Sequence, residues 1–322
     1  MNGMKISLKN KNRFASIREF GILFVLVIII IVLSLLSPAF ADLGNFINII
    51  KQAAINGLLA TGMMCVILTG GFDLSVGSIV GFTGVVAALL AQGQVPIAVP
   101  IALAVAAGLM VGILNGFSVA YLGIPAFVVT LGMQSIVRGL AFIFSGGVPV
   151  FGVTKAYEQL AGGKLFGFIP FLAIYYIAIA LVIGFILSKT VYGRRIYAVG
   201  GNEIAASVSG INVKFIKLSA FGICGMLAGV AGFLLTSRTV SGSPTTGQGY
   251  ELDAIAAVVI GGTSLDGGSG KWYGTIIGAL MLAVISNGLD IMRVPSYYQL
   301  IIKGFIIVIA VYFDVRSRKK QN

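Results

Sequence analysis

Histidine is absent from all 322 residues. That removes the side chain best suited to proton transfer near neutral pH and, with it, the commonest metal ligand. Cysteine occurs only as Cys65 and Cys224, each inside an apolar run, so neither a disulfide framework nor a metal site is indicated. Charge is scarce: Asp, Glu, Lys and Arg make up 10% of the chain, where a soluble domain carries roughly 25%. No G-x-x-x-x-G-K-[ST] stretch occurs, so the chain has no P-loop and no ATP site of its own. No series of acidic or histidine side chains crosses the apolar runs, which argues against a proton-coupled pump.

Apolar sequence is what the chain has in quantity. With 58% hydrophobic residues and a mean hydropathy of +1.03, it reads as an all-α polytopic membrane protein. The net charge of +12 sits in clumps between apolar runs and reports topology, not nucleic-acid binding. Spans are expected at residues 21–36, 47–68, 74–91, 96–121, 124–145, 166–187, 215–235, 273–289 and 297–313. A shorter segment lies at 252–262, about 16 Å long if helical, roughly half a bilayer. The first run lacks a small-residue cleavage site after it and reads as an uncleaved span.

Ten crossings with both termini in the cytoplasm put fifteen basic residues inside and five outside, a clear positive-inside bias. The expected organisation is a tail at 1–19, a transmembrane domain at 20–315 with a cytoplasmic loop at 188–214, and a tail at 316–322. The outer basic residues are Lys51, Lys155, Lys164, Arg238 and Arg293.

Two internal resemblances occur. Gly70, Gly71, Leu74, Gly77 and Ser78 recur as Gly261, Gly262, Leu265, Gly268 and Ser269, and this topology puts both on one membrane face. Asn115-Gly116, Pro125 and Arg138-Gly139 recur as Asn287-Gly288, Pro295 and Lys303-Gly304, on opposite faces, as an inverted repeat requires. Only one of the two can be ancestry, and the second is the better candidate.

The stretch at 192–213, YGRRIYAVGGNEIAASVSGINV, is a polar island. Asn202 suits an N-cap, Glu203 the first turn and Gly210 the stop, with a short helix between them. Such a helix, about two turns long, cannot stand alone in water and must be propped by the membrane domain or a partner.

Other candidates carry two readings each. The glycine-rich breaks at 69–78 and 261–270 are either tight helix packing or broken helices beside a solute path. Asp73 and Asp266 follow double glycines; an intramembrane protease pair is a remote option, and helix capping by Asp73 suits its position better. Arg138 and Lys303 either snorkel to the interface or serve the pathway. The amides Gln52, Asn56, Asn115, Gln134, Asn287 and Gln299 suit a neutral, hydroxyl-rich solute, or else act as glue between helices.

The runs VILTGGFDLSVGS (66–78), GRRIYAVGGNEIAASVSGINV (193–213) and GYELDAIAAVVIGGTSLDGGSG (249–270) resemble the permease subunits of ribose-type ABC sugar importers, over about residues 45–313. SPAF (37–40) and SYYQLIIKG (296–304) add to the resemblance. It implies a bacterial inner-membrane subunit, itself no enzyme, with an architecture like that of the vitamin B12 importer. Implied partners are a separate ATPase that holds the ATP and magnesium, an extracytoplasmic sugar-binding protein, and a second permease copy. It also implies that the short helix at 202–209 inserts into the ATPase. Gly200, Gly201, Asn202 and Glu203 would orient that helix, Ile204, Ala205, Ala206 and Ser209 form it, and Gly210 end it. Lys155, Lys164, Arg238 and Arg293 are candidate contacts for the binding protein. A nucleoside, an autoinducer or a polyol as solute, or a carrier acting without ATP, remain the alternatives.

Overall fold

The computed structural model describes residues 21–93 and 95–319; the expected tail at 1–19 and residues 320–322 lie outside the described residues. The helices are α1 (Gly21–Leu36), α2 (Leu43–Leu68), α3 (Val76–Ala91), α4 (Ala98–Ala120), α5 (Ala126–Ser145), α6 (Lys155–Gly162) and α7 (Phe171–Lys189). They are followed by α8 (Val191–Gly201), α9 (Glu203–Val208), α10 (Val213–Thr239), α11 (Tyr250–Ile260), α12 (Trp272–Ile291) and α13 (Ser296–Lys319). Six of these, α2, α4, α5, α7, α10 and α12, are long and apolar enough to cross a membrane. The helices α1 and α3 and residues 296–312 of α13 are apolar but shorter. The chain is a multi-pass helical membrane protein.

The centre is built from α2 and α10, whose inner residues are almost wholly buried. In lipid no hydrophobic force draws helices together, so close packing has to supply the attraction. The sequence provides it where α4 crosses α10. Gly108, Gly112 and Gly116 recur every four residues on one face of α4 and meet Gly225, Gly229 and Leu218. A Cβ on Gly112 would stand 3.1 Å from the Gly225 Cα, so the backbones touch directly. The other face of α4 exposes Leu103, Met110, Leu114 and Phe117, as lipid or a partner helix permits.

The packing is matched between two sets of helices. α4 packs on α10 as α12 packs on α2; α3 packs on α5 as α11 on α13; α3 meets α4 as α11 meets α12. The two sets run in opposite senses. α2 ends beside α8, whereas α10 starts after α9 and finishes against α6 at the far end of the bundle.

Several expected boundaries shift. α2 begins at Leu43, four residues early, because Asp42 accepts a bond from Gly44 N at 2.8 Å. The expected sixth span begins at Phe171, not 166: Lys164–Leu165 and Ile169–Pro170 pair as an antiparallel hairpin, turning through Gly167 at φ +81°. The segment before it is not a plain loop. α6 buries Tyr157 completely, with Tyr157 Oη donating to Phe233 O (2.9 Å) and Ser237 Oγ donating to Tyr157 O (2.6 Å). α13 continues without a break to Lys319, past the expected boundary at 315.

Candidate functional site

At one end of the bundle the polar island forms two helices. α8 was not expected, although Gly193, Ile196 and Val199 bury one face of it at spacing three. One residue, Asn202, separates it from α9. Asn202 Oδ1 accepts from Ala205 N (2.8 Å), the expected cap. At the other end Ile211 N donates to Ala206 O (3.1 Å) and Gly210 N to Ser207 O (2.9 Å), with Gly210 at φ +81°. This is a Schellman stop, and it closes the helix after Val208, at six residues. Lys217 on α10 holds the helix from behind by an ion pair to Glu203 (2.6 Å).

This arrangement redistributes the candidate residues. Ala206 faces the bundle and is buried, whereas Ala205 is exposed. Ile204 and Val208, one turn apart, project outward at 78% and 84% exposure. Sequence reasoning named Ile204 but missed Val208, which its i, i+4 spacing could have shown. Gly200 and Gly201 belong to the end of α8 and not to α9. Between α9 and the α4–α5 turn lies a recess of about 1130 Å³, lined in part by Gly70, Gly71, Ile124, Pro125, Ser207 and Val208.

The two backbone breaks are held differently. At 69–75, Asp73 Oδ1 accepts from Ser75 N (2.9 Å) and Ser75 Oγ (2.6 Å), closing the turn before α3. The helix starts at Val76, later than expected, and Ser75 rather than Asp73 is its N-cap residue. Asn115 Nδ2 donates to Ser75 Oγ (2.9 Å) and lies 3.3 Å from both Asp73 carboxylate oxygens. At 240–249 the chain runs non-helically along the glycine face of α3, with Ser241–Gly242 paired antiparallel to Val150–Phe151, and then starts α11. The guanidinium of Arg138 donates through one nitrogen to Pro244 O and, at 2.8 Å, to Thr246 O. Lys303 pairs with Asp253 at 2.8 Å, and Gln134 Nε2 donates to Glu251 Oε1 at 3.3 Å. Snorkelling therefore describes neither base. Non-helical backbone inside a membrane protein needs donors for its carbonyls, and Arg138 supplies them. Glu251 and Asp253 were missed, since their partners lie more than 45 residues away in sequence.

Most of the candidate amides hold helices together. Asn115 is fully buried against Asp73. Asn287 and Asn45 exchange reciprocal amide bonds of 2.9 Å, tying α12 to α2. Gln299 closes the α12–α13 turn through Asp290 Oδ1 and Val294 O, both at 2.9 Å. Gln52 and Asn56 are half-buried on α2. Of the outer bases, Lys155, Lys164 and Arg293 are exposed and Arg238 is half-buried. Lys51 lies near enough to Arg238 and Lys164 for their charges to act on it, so three cations cluster at the end away from α9.

A helical bundle with two broken helices, a polar interior bonded mostly to itself and a short helix thrust beyond one end is the build of a membrane permease. The chain belongs to the family described as the branched-chain amino acid transport system permease component, which it matches over residues 45–311. It is 46% identical over 301 residues to the ribose import permease protein RbsC of Bacillus subtilis (strain 168), covering 92% of this chain and 91% of the relative. The corresponding protein of Escherichia coli (strain K12) is 43% identical over 93% of both chains. The D-allose transport system permease protein AlsC of that strain is 37% identical over 92% of this chain and 91% of its own. No solved structure matches the chain.

Proposed function

We propose that this chain is the membrane subunit of an ABC importer for a monosaccharide, ribose or a near relative. It is a transport component and not an enzyme; hydrolysis falls to a separate ATPase subunit. The substrate class rests on relatives named for ribose and allose at 37–46% identity. Those names are more specific than the family's description, which mentions branched-chain amino acids.

The observation that carries the coupling role is α9. Six residues fixed by a cap, a Schellman stop and an ion pair present Ile204 and Val208 to the outside. Two adjacent apolar side chains on a peg fixed from both ends suit a contact with a partner protein. On this reading the α9 end is cytoplasmic, the peg enters the ATPase, and the chain crosses ten times with both termini inside. The matched, opposed packing of α2–α5 and α10–α13 supports an inverted repeat of the vitamin B12-importer kind. Lys155, Lys164, Arg238 and Arg293 then suit carboxylates on an extracytoplasmic binding protein, with Lys51 adding to the positive charge beside Lys164 and Arg238. A second permease copy completes the pathway in the inner membrane of a bacterium.

The test is reconstitution of the chain with its ATPase and binding protein in proteoliposomes. ATP hydrolysis should rise when the binding protein carries ribose, and less with allose or arabinose. Uptake by this chain alone, driven by an ion gradient, would overturn the reading.

A further inference from the structure

Three glycine-bearing segments, far apart in sequence, meet backbone to backbone behind α9. Gly268 N donates to Leu68 O at 3.0 Å, joining the end of α2 to the segment after α11. A Cβ on Gly200 would collide with Leu68 O and stand 2.5 Å from Gly268 N; one on Gly268 would stand 2.6 Å from the Gly201 Cα. The segment after α11 is itself a closed knot. Ser264 N donates to Ser269 O (2.9 Å) and Gly267 N to Ser264 O (3.2 Å), while Gly267 and Gly268 take φ +88° and +68°. Tyr197 of α8 adds a bond from its hydroxyl to Gly270 O at 3.0 Å.

We infer that Gly200 and Gly268 are positioning residues for transport: they join α8, the end of α2 and the 261–271 segment into one unit, so that a push on α9 reaches both halves of the bundle together. The inference rests on α9 being the contact with the motor. Side chains packed between two elements can change rotamer and absorb a displacement. Main chains in direct contact have no such compliance. α8 passes force from α9 across a single residue, and the unit it enters leads through Leu68 into the break at 69–75 and through Gly261 into α11.

The test uses the complete importer in proteoliposomes. Gly200→Ala keeps a helical backbone but loses the contact. It should retain the ATPase subunit and basal hydrolysis, while sugar moved per ATP falls about tenfold, a size typical of a residue on a coupling route. Gly132→Ala, on an exposed face of α5 where a Cβ meets open space, should transport normally. Where Gly200→Ala does not insert, a short thiol cross-link between Gly201→Cys and Ser269→Cys decides; both positions are exposed, and Cys65 and Cys224 are buried. A unit that moves as one tolerates the link. Normal sugar-to-ATP stoichiometry in Gly200→Ala, or loss of uptake on cross-linking, overturns the inference. Ile204→Asp tests the underlying reading separately: it should release the ATPase subunit, and if it does not, α9 is not the motor contact, whatever the glycines do.

Discussion

The two halves of the bundle solve the same problem with different chemistry. Each contains a long helix, a break, a short helix and two further helices, packed in the same pattern. In the first half the break at 69–75 is held by hydroxyl, amide and backbone groups around one buried carboxylate. In the second half the break at 240–249 and the start of α11 are held by two cations reaching across from α5 and α13. The corresponding amides also part company. Asn115 fastens its own half's break, whereas Asn287 ties its half to α2 of the other. Matched backbones thus leave the holding chemistry free to differ. The first break has the geometry of a fixed turn, and the second depends on neighbours that can be withdrawn.

The largest effect should come from Arg138→Met, which strips donors from two carbonyls. The expected loss is about 3 kcal/mol, from the worth of charge-assisted bonds, read as a lowered unfolding midpoint in detergent and lost uptake. Both bonds come from one nitrogen, so Arg138→Lys should recover much of that loss. Next comes Lys303→Met, at about 2 kcal/mol, because it leaves Asp253 without its cation. Adding Asp253→Asn should restore part of the stability, a non-additivity that a double-mutant cycle would measure.

In the first half Asn115→Leu should cost about 1.5 kcal/mol, since Asp73 keeps both bonds from Ser75. Smallest is the amide pair: Asn287→Ala should cost about 1 kcal/mol and Asn45→Ala somewhat more, because Asn45 Nδ2 also donates to Phe40 O at 3.0 Å. The double variant should cost little more than Asn45→Ala alone, since the shared contact is lost only once. If Arg138→Met proves no worse than Asn45→Ala, the distinction between an ionic and a neutral half collapses.

The six long apolar helices were legible because a bilayer forces long apolar runs and a near absence of charge within them. α9 was legible because its capping residues act locally, within a few positions of Asn202 and Gly210. What sequence could not show is pairing at a distance. Arg138 and Lys303 stood out as cations in spans, but nothing near them in sequence names Pro244, Thr246 or Asp253 as partners. α6 and α8 escaped notice because each buries only a few side chains, Tyr157 and Ala161 in one and Ile196 and Val199 in the other. The amides were ambiguous for a physical reason. The same group that can bind a sugar hydroxyl can bind another amide, and only the fold shows that Asn287 had already found Asn45.

The Lys303–Asp253 pair has an electrical consequence. A single elementary charge carried across the membrane potential gains or loses about 2.3 kcal/mol per 100 mV. A cation on α13 that shifts together with its carboxylate on α11 carries almost no net charge through the field. The pair, as long as it holds, therefore adds almost nothing to the voltage dependence of a rearrangement that moves it, whereas Lys303 parted from Asp253 would add a full charge.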